Sequence, residues 1–240
     1  AQFAETIRVE LEHLLPAAVH EPMGLKDVFK DIGAALKSLT DPLRDAGSDA
    51  VLQLIRKPLS EQVALFLGDI FVYLRWRESD AATGTYNRIF RPIIDALAAA
   101  TAAKAPGQKM VVVGHSLGAV ILYDLLTDTR ALSEIAAKSG GKPLEIDLWA
   151  TVGAQPGLFA DMDLYAGPRD AEGRLPKPAA VQRWVNVFDF TDVLAFRTQP
   201  FFAGVTDYEF NNVSGALEAH TAYFQRPSFY KRLRARLDPE

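Results

Sequence analysis

The chain contains no cysteine. That excludes disulfide bonds and any metal site built on thiolates, and it leaves the redox compartment open. Histidine is almost as scarce: His13, His20, His115 and His220 are the only four in 240 residues. His13 and His20 have no cysteine or second histidine at metal-ligand spacing, so they are expected on the surface or in packing. Excess positive charge is also missing. Lys and Arg total 26 against 30 Asp and Glu, a net charge of −4, which gives no electrostatic footprint for nucleic acid. Long apolar runs are absent. The most apolar region, Val51–Trp76, is broken by Arg56, Lys57, Glu61 and Asp69, so it lacks the roughly 18 unbroken apolar residues that mark a membrane-spanning helix. No signal peptide is visible, which makes the cytoplasm only a default. Residue 1 is Ala, which leaves room for a removed natural start. No repeat and no clear second domain break the chain. What is present, 49% hydrophobic and 23% charged residues, fits one globular domain over 1–240 with a real core.

One stretch organises the rest: Val111–Leu126, VVVGHSLGAVILYDLL. Met110 to Val113 form a short apolar run rich in β-branched residues, the pattern of a buried parallel strand. Gly114-His115-Ser116-Leu117-Gly118 follows, and from Ala119 the residues Val120, Tyr123 and Leu126 recur at helical spacing. Strand, Gly-flanked turn and helix form the context of a nucleophile elbow. The turn forces the serine backbone into a disfavoured region, projects its hydroxyl above the sheet and aims the next helix N-terminus at the same spot.

Upstream, residues 1–60 are expected to be helical. Phe3, Ile7, Leu11, Leu14 and Leu15 lie on one face, and Leu25, Val28, Phe29, Ile32, Leu36 and Leu39 on another, patterns that suit core packing, a cap or a lid. A further helix is expected over Ser60–Trp76, capped by Ser60, and another from about Tyr86 to Lys104 with Pro92 near its start. Downstream, Thr127–Pro143 is polar and Gly-containing, and Leu144–Val152 predicts a strand. Gly153–Val181 lacks periodicity, which in a compact domain marks a functional or mobile segment. Arg183–Phe188 predicts a third strand and Val205–Phe210 a fourth. Ser228–Leu237 predicts a closing helix whose Lys231, Arg232, Arg234 and Arg236 form a solvated face.

A serine nucleophile needs an imidazole base, and on this scaffold the order is serine, acid, histidine. Only His220 satisfies that order. His115 is the neighbour of the serine, and adjacent side chains on such a turn diverge. The acid is expected just past a strand end, which admits Asp189 and Asp192. Asp192 is preferred because the chain turns away from the sheet there, with Asp189 anchoring loop backbone as an Asx-type turn. Asp124 is expected to be a structural hydrogen-bond partner, and Asp207 and Glu209 to face outward from a strand. One oxyanion donor is the Leu117 N–H. The second normally follows an earlier strand, and residues 1–104 offer no convincing strand and no His-Gly dipeptide. Either the first strands lie in a segment outside this chain, the preferred alternative because the sheet is otherwise unusually short, or Val51–Ile55 is such a strand. Phe188, Phe190, Phe196, Phe201, Phe202 and Phe210 surround the acid and base in sequence. Most are expected in the core, with those of Phe196–Gly204 available to an apolar acyl pocket.

At these residues the chain resembles the α/β-hydrolase superfamily, within it the bacterial serine esterase and lipase-like group with a GHSLG elbow, over about Gly68 to Tyr230. VVVGHSLGAVILYDLL is similar to the family's elbow and helix. Thr151-Val152-Gly153-Ala154-Gln155-Pro156 resembles its Thr-x-Gly-Ser-Pro turn with Ser replaced. Trp184-Val185-Asn186 through Asp192-Val193 resembles its Trp-x-Asn…Asp-Pro-Val segment, with Val193 for Pro, and His220-Thr221-Ala222-Tyr223 its His-x-x-Tyr. The resemblance implies an α/β sandwich of three layers around a mostly parallel sheet, apparently without its N-terminal strands and with extra N-terminal helices. It implies a triad of Ser116, Asp192 and His220 that cleaves a small ester or lipid substrate without metal or cofactor. The competing expectations are a catalytically silent hydrolase-fold module that binds a lipid or protein, and one piece of a larger effector that needs a missing segment or partner chain.

Overall fold

The two central strands named below, Ile146–Val152 and Val181–Phe188, are buried along almost their whole length, the condition of a parallel sheet covered on both faces. The computed structural model describes residues 66, 68–77, 86, 88–211 and 218–237. The helices expected in 1–60, His13, His20 and the Val51–Ile55 alternative lie outside them. By its internal contacts the chain divides into Ala1–Gly68 and Asp69–Glu240. The second unit holds the sheet.

Residues 68–77 are helical (α1). Helix α2 (Phe90–Ala103) leads to strand β1 (Val111–His115), and the elbow follows. Helix α3 (Leu117–Thr127), helix α4 (Thr129–Lys138) and strand β2 (Ile146–Val152) come next. Then come a short helix α5 (Pro156–Asp161), strand β3 (Val181–Phe188) and strand β4 (Val205–Glu209). The chain closes with α6 (Ala219–Ala222), a 3₁₀ turn (Tyr223–Gln225) and α7 (Pro227–Leu237). The expected strands are all present. The polar segment Thr127–Pro143, from which no element was expected, contains α4. Its signal was an N-cap: the Asp128 side chain accepts from Arg130 N–H, while Ala131 and Ile135 face inward. No helix among the described residues is long and apolar enough to cross a membrane.

The sheet is all parallel with spatial order β1-β2-β3-β4, the order of the chain. Such a sheet grows in one direction, so right-handed crossovers stack on one face and leave the other for the closing helix. The alternation of side chains agrees. Trp149 pairs in register with Trp184, and the two indoles stack at 4.4 Å. Tyr123 of α3 stacks on Trp184 at 5.9 Å, and Phe202 meets Trp184 edge-on at 4.9 Å. Aromatic pairs of this kind add about 0.5–1.5 kcal/mol each beyond burial. On the opposite face, Leu148, Ala150, Val152, Val185 and Val187 pack against Phe210, Tyr223 and Phe229, bringing α7 onto the sheet. The chain is therefore an α/β protein with helices on both faces of a four-stranded parallel sheet.

Among the described residues no strand precedes β1, which forms one edge of this sheet. Val111 and Val113 are 39% and 41% exposed there, although their sequence is that of an interior strand. Asp124 is a structural residue, as expected: it accepts from the Tyr73 hydroxyl and, at 3.2 Å, from Arg77, tying α1 to α3. Burial raises its pKa above the usual carboxylate value, against the pull of Arg77 and Tyr73. Asp207 departs from expectation. Its side chain is only 5% exposed, because it accepts from Asn186 Nδ2 at 2.9 Å and from the N–H of Thr198 at 3.0 Å.

Candidate active site

The parallel register brings the C-terminal ends of three strands to one rim, since His115 pairs with Val152 and Val152 with Val187. Ser116, Gly153 and Asp189 follow the last residues of β1, β2 and β3. In open α/β sheets this rim is where ligands bind.

Ser116 has φ 51° and ψ −135°, and it is one of two non-glycine residues with positive φ among those described. A side chain in that region costs about 1–3 kcal/mol and persists only where the surroundings impose it. They do so here. Ser116 N–H donates to Val152 O at 3.1 Å, and α3 begins at the next residue. At Gly114 an added Cβ would lie 2.9 Å from the Ala119 Cα, so the strand-to-helix approach requires glycine. Leu117, the expected oxyanion donor, is the first residue of α3, where backbone N–H groups have no acceptor inside the helix. Among the described residues the Ser116 hydroxyl makes no hydrogen bond.

Asp192 and His220 are brought together. The His220 Nδ1–H donates to the Asp192 carboxylate, at 3.1 Å to Oδ1 and 3.0 Å to Oδ2. The acid is fully buried and the imidazole 18% exposed. This hydrogen bond leaves Nε2 as the basic nitrogen. Asp192 also accepts from Leu194 N–H at 3.0 Å and from the Tyr223 hydroxyl at 3.0 Å. Asp189 takes the other role expected for it: its Oδ1 accepts from Thr191 N–H at 2.8 Å, closing an Asx turn.

The acid loop is held from beneath. Gln155 Nε2 donates to Leu194 O at 2.6 Å, and Asn186 Nδ2 donates to Phe196 O at 3.0 Å. Both amides are fully buried. Gly153, at φ 53°, faces Asp192 and His220 directly. A Cβ there would lie 2.9 Å from Asp192 Oδ2, 3.1 Å from the Tyr223 ring and 3.4 Å from His220 Nδ1.

Two residues at the site had no role assigned from the sequence. Tyr223 lies under the acid, and burial followed by the Asp192 charge holds its phenol well above the usual value, so it stays a donor. His115 contacts His220. Its Nε2–H donates to the His220 carbonyl at 2.7 Å. The spacing between His220 and Tyr223 was the only available signal for the first. No local pattern pointed to the second, because the contact joins positions 105 residues apart.

Of the aromatic residues around the acid and base, Phe202 and Phe210 are core, Phe188 is buried and Phe190 is 72% exposed. Phe202 packs against Tyr123 and Trp184, which removes it from any acyl pocket. No family model, curated protein or solved structure matches this chain.

Proposed function

We propose that the protein is a serine hydrolase of the α/β-hydrolase type that cleaves carboxylic esters, with a lipid or acyl ester as substrate. The observation that carries this reading is the buried Asp192–His220 pair, at the same strand-end rim as a serine held at positive φ. In the proposed reaction Ser116 Oγ attacks the acyl carbon while His220 Nε2 takes its proton. The developing oxyanion is held by the Leu117 N–H at the start of α3, where the helix dipole favours negative charge. His220 returns the proton to the leaving alkoxide as the C–O bond breaks. A water, deprotonated by His220, then releases the acid from Ser116. Asp192 keeps the imidazole in the tautomer with bare Nε2 and stabilises its charged form. None of these steps calls for a metal or cofactor.

Labelling with a fluorophosphonate probe tests the proposal. Wild type is expected to react, and Ser116→Ala and His220→Ala are not. Folded wild type that stays unlabelled refutes the enzyme assignment. A second reading, a silent hydrolase-fold module that binds a lipid or protein, is favoured by one observation, the unbonded Ser116 hydroxyl. Hydrogen bonds to a nucleophile often tighten only with substrate bound, and the same labelling separates the two readings.

A further inference from the structure

We propose that His115 is a positioning residue for the general base, an inference that rests on the hydrolase reading: its Nε2–H fixes the His220 carbonyl and so presents the His220 imidazole to the elbow. His220 sits in a helix of only four residues, Ala219–Ala222, too short to be held by its own hydrogen bonds. The Asp192 carboxylate restrains the Nδ1 edge of the imidazole. One anchor at a ring edge leaves the backbone of the same residue free to shift. The second anchor comes from the elbow strand itself, at 2.7 Å from His115 Nε2 to the His220 carbonyl oxygen. The nucleophile and its base are thereby referenced to one point, the last residue of β1.

The His115 ring is also clamped between two aromatic partners. It lies 4.6 Å from the His220 ring at an interplanar angle of 38° and meets Phe224 edge-on at 5.2 Å. The titratable groups facing it are His220 and Asp192. Burial holds its pKa below the ordinary imidazole value. A neutral His115 suits the task, because a charge there would oppose the imidazolium that forms at His220 during acylation.

Two substitutions in the full chain separate the hydrogen bond from packing. His115→Phe keeps a ring between His220 and Phe224 and removes the donor. His115→Gln keeps a donor at similar reach and removes the ring. On a p-nitrophenyl ester, His115→Phe is expected to lower kcat roughly 10- to 100-fold with KM nearly unchanged, the scale of misplacing a catalytic group by about an ångström. His115→Gln is expected to recover most of that loss. Equal kcat in His115→Phe and wild type overturns the proposal, as does a His115→Gln variant no better than His115→Phe. NMR of the histidine side chains gives a readout independent of turnover. His115 is expected as the Nε2–H tautomer with slowed proton exchange, and a bare Nε2 overturns the proposal even if wild type proves inactive. An inactive wild type with the expected His115 tautomer rejects the hydrolase reading and leaves the anchor standing.

Discussion

Tyr223 and Asp192 are joined by a hydrogen bond of 3.0 Å from the phenol to the carboxylate Oδ2. The same phenolic oxygen accepts from Asp189 N–H at 2.9 Å. One side chain thus links the two aspartates that compete for the role of acid, and it sorts them: Asp192 receives its proton donor, while Asp189 meets it through the backbone.

Tyr223→Phe removes a charge-assisted donor from Asp192 and an acceptor from Asp189 N–H. The expected result is a fall in denaturant stability of roughly 1–3 kcal/mol, with kcat reduced about tenfold. Equilibrium urea unfolding and ester kinetics on the same samples check both, and unchanged kcat would show that Asp192 needs no third support.

Asp192→Asn and Asp189→Asn are expected to diverge. The first should lower kcat by about a thousandfold or more, because an amide no longer fixes the bare-Nε2 tautomer. Asp189→Asn keeps a side-chain acceptor for the Thr191 N–H and should retain most activity. A larger loss in Asp189→Asn would reverse the assignment.

Ser116→Gly tests stored strain separately from chemistry. Glycine adopts φ near 51° without the cost borne by an L side chain. The variant should lose probe labelling and gain about 1 kcal/mol of stability, part of the strain at such sites. A lower Tm than wild type would argue against strain at the elbow.

Gly153→Ala places a methyl group 2.9 Å from Asp192 Oδ2 at positive φ. The backbone cost alone is about 1–2 kcal/mol, and the carboxylate must also shift from His220. The variant is expected to unfold earlier and to lose most of its turnover, read by thermal melting and by kinetics at a temperature where it remains folded.

His115 makes stability depend on pH. Burial lowers its folded pKa below the ordinary imidazole value of 6.5, so between those two values the unfolded chain binds more protons than the folded one. Stability from this group is therefore present above about 6.5 and is lost as pH falls through the folded value. His115→Gln should flatten the dependence of Tm on pH in that window, and an identical slope in both proteins would remove His115 as its source.

Much of the fold was legible in order along the chain. The β-branched run before Gly114, the alternation in Leu144–Val152 and the apolar run at Arg183–Phe188 each predicted a strand from local pattern, because β-branched runs and period-two alternation are local marks of a strand. Helix α4 was missed because its buried residues are few, Ala131 and Ile135, and polar residues surround them. Asp207 was misjudged because strand alternation describes a flat sheet face. It could not show that the loop through Thr198 folds back over it.

For the candidate site, sequence by itself narrowed the candidates. A single serine in a Gly-flanked strand-to-helix turn, a single histidine after it and two aspartates just past one strand leave few combinations, since the scarcity of histidine does the selecting. Tertiary structure decided what local spacing cannot encode. It set Asp192 rather than Asp189 against His220, because Asp189, though equally buried, has its Oδ1 engaged by the Thr191 N–H and hydroxyl. It made Gly153 necessary, through Asp192, His220 and Tyr223, which converge on its missing side chain. It also brought His115, 105 residues from His220 in sequence, into a 2.7 Å hydrogen bond with that residue's carbonyl. Each of these is a meeting of segments distant in sequence, and such meetings are fixed by the register of a parallel sheet rather than by the residues on either side.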